Sequence, residues 1–73
     1  MTTISITIAS VPDREDAVAE LWLGDEQLGE VSRELVGGFS IELYSAPAGT
    51  PWKIPLDDLV AALEEAKTLL GSF

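Results

Sequence analysis

Apolar and polar residues alternate with a period of two through the first part of the chain. In residues 2–11 the isoleucines Ile4, Ile6 and Ile8 share one side, and small or polar residues fill the other. Residues 17–23 alternate in the same way. Period two with β-branched residues is typical of a strand that buries one face. The pattern therefore predicts strands over residues 2–11 and 17–23.

Strand-breaking residues separate these runs. Residues 11–16, VPDRED, combine a proline with several acids, and residues 24–26, GDE, begin with a glycine. Both segments are predicted to be turns. A helix beginning at Pro12 is the competing interpretation of the first segment, although the residues that follow keep the two-residue period.

Two further strands are predicted over residues 27–35 and 39–45. In the first of them, Leu28 and Val31 cannot lie on the same face of a regular strand, because their spacing is odd. A β-bulge would bring them to one face, and Gly29 is where such a bulge fits.

The register between these two strands depends on the turn that joins them. A three-residue loop over residues 36–38, with Gly38 left-handed, predicts three cross-strand pairs. They are Leu35 with Phe39, Arg33 with Ile41, and Val31 with Leu43. This register places Arg33 on the buried side, so we expect it near the rim or beside a helix carboxylate. A two-residue turn at Gly37 and Gly38 would flip the register and remains the alternative.

Residues 55–70 carry a different period, which predicts an amphipathic α-helix. Pro55 suits the first turn, Asp57 and Asp58 complement the positive end of the helix dipole, and Gly71 favours termination. The apolar residues recur at helical spacing and are Leu56, Leu59, Val60, Leu63, Ala66, Leu69 and Leu70.

Together these elements predict an α+β fold with two layers. A four-stranded antiparallel β-meander would carry one C-terminal helix on one face, and residues 1–73 would form a single small domain. Trp52, in the proline-rich connection to the helix, is predicted to plug one end of the core. The predicted core comprises Ile4, Ile6, Ile8, Leu21, Leu23, Val31, Leu35, Phe39, Ile41 and Leu43 from the sheet, and Leu59, Leu63, Ala66 and Leu70 from the helix.

Composition narrows the class of partner. Thirteen acids against four bases give the chain a net charge of −9, which argues against nucleic acid because phosphate binding requires clustered Lys and Arg. A proteome-wide acidic bias and an acidic surface for a basic partner both account for this charge. No stretch of about 18 apolar residues exists, so no membrane association is expected. With no cysteine, a cytoplasmic location is expected.

Catalytic machinery is not evident in the sequence. The chain has no His and no Cys, which removes the commonest proton shuttle and thiol nucleophile. The adjacent acids Asp57–Asp58, Glu64–Glu65 and Asp25–Glu26 do not match the ligand spacing of a calcium loop. We therefore assign no catalytic, cofactor or metal residues and expect a non-enzymatic protein, with metal binding or catalysis the least favoured class.

The helix-free face of the sheet is the candidate site. On the predicted register it carries five residues with the composition of a contact surface, two aromatics among carboxylates. They are Glu20, Trp22, Glu30, Glu42 and Tyr44. We expect a small acidic interaction module that binds a basic protein through this face, and a structural homodimer through the same face is the alternative. No family is recognised from these residues. The layout is shared by many small bacterial proteins of unassigned role, including some immunity proteins that neutralise toxins, so an immunity, antitoxin or adaptor role is expected by analogy of fold alone.

Overall fold

The computed structural model describes residues 4–10, 17–46 and 49–71. The four strands are β1 (Ile4–Ser10), β2 (Ala17–Leu23), β3 (Glu26–Arg33) and β4 (Phe39–Leu43), and the helix is α1 (Leu56–Gly71). They form one antiparallel sheet in the order β1-β2-β3-β4 with α1 on one face, which confirms the α+β two-layer fold. The turn predicted over residues 11–16, its helical alternative and the tail after Gly71 lie outside the described residues, and the single domain over residues 1–73 stays a prediction.

The first hairpin aligns the two alternating patterns without a shift. Ile6 pairs with Leu21 and Ile8 with Ala19, so that both strands direct these side chains towards α1. Leu21 and Ala19 are completely buried, because β2 lies inside the sheet. The period-two pattern therefore identifies the buried side of both strands correctly.

The pairing of β2 with β3 contains the expected bulge. Leu21 pairs with Gly29 and Trp22 with Gln27, which leaves Leu28 as the extra residue of β3. The bulge turns Leu28 to the helix side, where it and Val31 are both buried in the same cluster. The odd spacing of two large apolar residues was thus a valid signal for an irregular strand.

The register predicted between β3 and β4 is wrong by two residues. Arg33 pairs with Phe39 and Val31 with Ile41, whereas the predicted register paired Arg33 with Ile41 and Val31 with Leu43. The loop lies one residue earlier than the predicted three-residue loop, because the Glu34 N–H donates to the Gly38 carbonyl at 3.0 Å and these two residues enclose residues 35–37.

Two glycines with positive φ make this turn possible. Gly37 has a φ of 96° and Gly38 a φ of 84°, and the Gly37 N–H donates to the Glu34 carbonyl in a β-turn. Leu35 and Val36 consequently form the tip of the hairpin and are fully exposed. The prediction that Leu35 belongs to the core is therefore wrong.

The helix approaches the sheet through small residues. Ala62 and Ala66 are buried together with Leu70, and an alanine at the contact lets the helix backbone lie close to the strands. Leu59 and Leu63 are only partly buried and flank this contact. The centre of the buried stripe is thus displaced from the one that leucine spacing alone predicts, towards Ala62, Ala66 and Leu70.

Coverage of the sheet by α1 is incomplete. The helix packs mainly against β1, β2 and β3, so the helix-side residues of β4 remain accessible: Phe39 is 37% exposed, Ile41 42% and Leu43 61%. The prediction that these three residues belong to the core is therefore wrong, since one helix is too narrow to cover four strands. Of the predicted core, Leu21, Val31, Ala66 and Leu70 are buried, whereas Ile4, Ile6, Ile8, Leu23, Leu59 and Leu63 are partly buried.

Trp52 closes one end of the core, as predicted. Its side chain packs against the buried cluster together with Ile54, and its indole N–H donates to the Tyr44 carbonyl at 2.9 Å. The hydrogen bond satisfies the polar edge of a half-buried ring and attaches the connection to the end of β4.

Candidate functional site

The sheet face opposite α1, which we call the open face, carries three glutamates in one row. Glu20 of β2 pairs with Glu30 of β3, which pairs with Glu42 of β4. Thr7 of β1 continues the row at the other edge. Directly opposed side chains on one face of an antiparallel sheet have Cβ atoms about 4.5–5.5 Å apart. Three negative charges therefore lie side by side across the sheet.

An indole lies next to this row. Trp22 lies two positions after Glu20 on β2, so the two side chains share the open face. The Trp22 Nε1–H donates to a Glu20 carboxylate oxygen at 3.3 Å. Trp22 is half-buried, and it pairs with Ser5 of β1 and with Gln27 of β3. The contact orients the Glu20 carboxylate and fixes the ring beside the row.

A phenol lies on the same face. Tyr44 directly follows β4 and lies two positions after Glu42, so it shares the face of the acidic row. Partial burial raises the pKa of Tyr44 above its ordinary value of 10.0, and the negative charges of Glu30, Glu42 and Glu20 raise it further. The phenol therefore experiences the charge of all three glutamates.

The structure brings the five predicted site residues together on one face. Their role in binding stays a prediction, but their arrangement differs from the expected one. The predicted register placed Glu42 opposite Ser32, whereas the observed register places it opposite Glu30. The continuous acidic row was therefore missed, and only the correct position of the turn within residues 34–38 could have revealed it.

The remainder of the open face is small and uncharged, with one acidic exception. Ser32 pairs with Ser40, and the Ser40 hydroxyl donates to the carboxylate of Glu34 at the hairpin. Val18, which the period places on this face, is buried although it lies outside the helix-side cluster. Along the described strands, no Lys or Arg occupies an open-face position.

Neither a metal site nor a membrane span accompanies the open face in the described part of the chain. Over residues 4–10, 17–46 and 49–71, no three acidic side chains are arranged to hold a metal ion. Within those ranges, α1 is too short and too polar to cross a membrane, and no other helix is present to do so. No known protein family, curated protein or solved structure matches the chain.

Proposed function

We propose that this protein is a small acidic, non-enzymatic interaction module that binds a basic partner protein through the open face. The observation that carries the proposal is the row formed by Glu20, Glu30 and Glu42. Like charges directly opposite one another in a sheet destabilise it. Basic side chains laid along the row would relieve that repulsion, so the free protein already favours a cationic ligand.

Arginine is the side chain that suits this row best. Its planar guanidinium group can bond to a carboxylate through two parallel N–H···O contacts. A guanidinium group placed between Glu30 and Glu42 could donate to both carboxylates, which a single ammonium group matches less well. We therefore expect the partner to present arginines, spaced to follow a line that crosses the strands.

The two aromatic side chains would supply the apolar part of the interface. Trp22 and Tyr44 lie beside the acidic row, and aromatic residues are enriched among those that dominate binding energies. A cation above either ring also gains a cation–π contact. The open face thus combines charge, which accelerates encounter, with rings that can be buried on contact.

The biological role that we propose is that of an immunity protein, an antitoxin or an adaptor in the cytoplasm. Each of these roles requires a compact protein that recognises another protein by its surface and performs no chemistry of its own. The acidic row supports a basic target over a neutral one.

A homodimer formed by two open faces is the less favoured arrangement. Stacking one open face on another would bring two acidic rows together, and the described strands offer no basic side chain on this face to compensate. Salt screening would reduce that repulsion without removing it at contact distance. The chemistry of the face therefore favours a foreign, basic partner.

Nuclear magnetic resonance can test this proposal with a model ligand in place of the partner. A uniformly ¹⁵N-labelled sample would be titrated with a short arginine-rich peptide. The two indole N–H signals provide an internal comparison, since Trp22 lies on the open face and Trp52 donates to the Tyr44 carbonyl in the core. We expect the Trp22 signal and the amides of Glu20, Glu30 and Glu42 to shift most.

The same titration can contradict the proposal. Shifts spread evenly over all acidic surfaces, with α1 residues Asp57 and Glu64 moving as much as Glu30, would indicate attraction by net charge alone. A Trp22 signal that stays fixed while the peptide binds would place the contact elsewhere.

A further inference from the structure

Among the residues that the structure describes, none pairs with the outer edge of β4, which presents backbone groups at regular spacing. The Glu34 N–H donates to the Gly38 carbonyl, and the Tyr44 N–H donates to the Leu28 carbonyl, both across the β3–β4 hairpin. Backbone groups alternate in direction along an antiparallel strand, so the even-numbered residues of β4 face β3. The N–H and C=O groups of Phe39, Ile41 and Leu43 therefore point away from the sheet.

The side chains of the same three residues form an exposed apolar strip on the helix side. They are the residues of β4 that α1 leaves uncovered. The strip continues onto the helix, since Leu63 and Lys67 line a shallow groove with Phe39 and Ile41, and the Lys67 ammonium lies 5.8 Å from the Phe39 ring centroid.

Two further helix residues extend this apolar surface. Leu56 and Val60 are 71% and 49% exposed, and the helical period places them on the same side of α1 as Leu63 and Lys67. The other edge of the sheet is different, because the isoleucines of β1 pack against the core. Only β4 therefore combines outward backbone groups with an uncovered apolar strip, the combination that invites strand addition.

We propose that two copies of this protein pair through β4, antiparallel, about a two-fold axis at Ile41. The four-stranded sheets would join into one continuous sheet of eight strands, with both helices on one side. This surface is distinct from the open face, so the inference does not depend on the proposed function. The pairing would place both acidic rows on the same side of the dimer.

A second copy is the occupant because β4 is complementary to itself in one register. With Ile41 opposite Ile41 of the second copy, Phe39 lies opposite Leu43, so that all outward backbone groups find partners and apolar side chains meet. On the open face, Ser40 then lies opposite Glu42, and no two like charges are directly opposed. Sliding one β4 strand past the other by two residues in one direction would place Glu42 opposite Glu42. Sliding it by two residues in the other direction would leave Leu43 without a partner.

Sedimentation velocity, run from low-micromolar to near-millimolar protein in moderate salt, tests the dimer. Salt is needed because each copy carries a charge of −9. We expect a concentration-dependent dimer for the wild type. Ile41→Pro should be monomeric and keep its circular dichroism spectrum, since the N–H that proline removes points to solvent. Ile41→Val, which keeps that N–H and an apolar side chain, should still dimerise.

A charge exchange at the same position tests the register. Ile41→Lys and Ile41→Glu should each be monomeric, because two like charges would meet on the axis, and an equimolar mixture should form a heterodimer. A wild type that stays monomeric at near-millimolar concentration overturns the proposal and leaves the β4 edge to a foreign strand. A dimer that survives Ile41→Pro, or a mixture that does not associate, overturns it as well.

Discussion

Gly29 shows how a single missing side chain permits a close approach between two strands. A Cβ atom at this position would lie 2.2 Å from the Glu42 carbonyl oxygen and 3.2 Å from the Leu43 Cα. Both neighbours are backbone atoms of β4, which cannot rotate away. Glycine is thus required because the bulged β3 lies so close to β4. Backbone conformation is not the reason, since the φ of Gly29 is not in the left-handed region.

Gly29→Ala should therefore destabilise the protein by ~1–3 kcal/mol, the usual cost of inserting an atom into a packed site. Gly71→Ala is the matched control, because a Cβ atom there meets nothing within 4 Å. Urea unfolding of the two variants measures the difference. Equal midpoints would show that β4 lies farther from the bulge than described.

Tyr44 reports on the acidic row, because it is the only tyrosine in the chain. Its pKa is raised above 10.0 by burial first and by Glu30 and Glu42 next. A raised pKa means that the fold favours the neutral phenol. This contribution to stability is complete below pH 10 and is lost as the pH rises through the higher pKa of the folded state.

We expect Glu30→Gln to lower the Tyr44 pKa, measured as the ultraviolet absorbance of the phenolate against pH, because it removes the charge that raises this pKa most. Burial persists in this variant, so the pKa should stay above that of an unfolded control. Glu64→Gln, on the helix, should leave the titration unchanged. A Tyr44 midpoint that is insensitive to Glu30→Gln would contradict the placement of Tyr44 beside the acidic row.

At the scale of elements, periodicity identified each strand and the helix, and the bulge followed from the spacing of Leu28 and Val31. Loop geometry was the part that periodicity could not supply. Residues 34–38 are compatible with several turns, and the choice among them depends on both glycines taking positive φ. The error in the position of the turn shifted every predicted β3–β4 pair by two residues. Each residue therefore stayed on the correct face, but the acidic row was not predicted.

The sequence could not predict which helix residues are most deeply buried either. Leucines dominate the apolar stripe, yet Ala62 and Ala66 are buried while Leu59 and Leu63 are only partly buried. The position of α1 over β1–β3 rather than over all four strands is a property of packing, which a one-dimensional pattern does not contain. It explains why Phe39, Ile41 and Leu43 are exposed.

The position of the helix can be tested with two truncations. Leu70 is 1% exposed, whereas Val60 is 49% exposed on the same helix. Leu70→Ala should cost ~2–5 kcal/mol, since it opens a cavity in the core. Val60→Ala should change stability by less than ~0.5 kcal/mol, as surface substitutions usually do. Thermal unfolding of both variants is the measurement, and similar losses would place α1 in a different rotation.

At the scale of the whole molecule, the two faces of the sheet differ in the side chains that they carry. The helix side supplies the core and leaves an apolar strip along β4, whereas the open face carries the acidic row and two aromatic side chains, Trp22 and Tyr44. The net charge of −9 attracts cations to every surface. The central claim is that the open face binds a basic protein by its arrangement and not by net charge alone.

The most direct test compares two triple variants that remove the same charge from different surfaces. One changes Glu20, Glu30 and Glu42 to Gln, and the other changes Asp57 and Asp58 to Asn and Glu64 to Gln. Isothermal titration with an arginine-rich peptide measures the affinity of each beside the wild type. We predict that the open-face variant loses most of its affinity, by at least about tenfold, or ~1.4 kcal/mol, while the helix variant stays near the wild type. Equal losses in the two variants would contradict the claim.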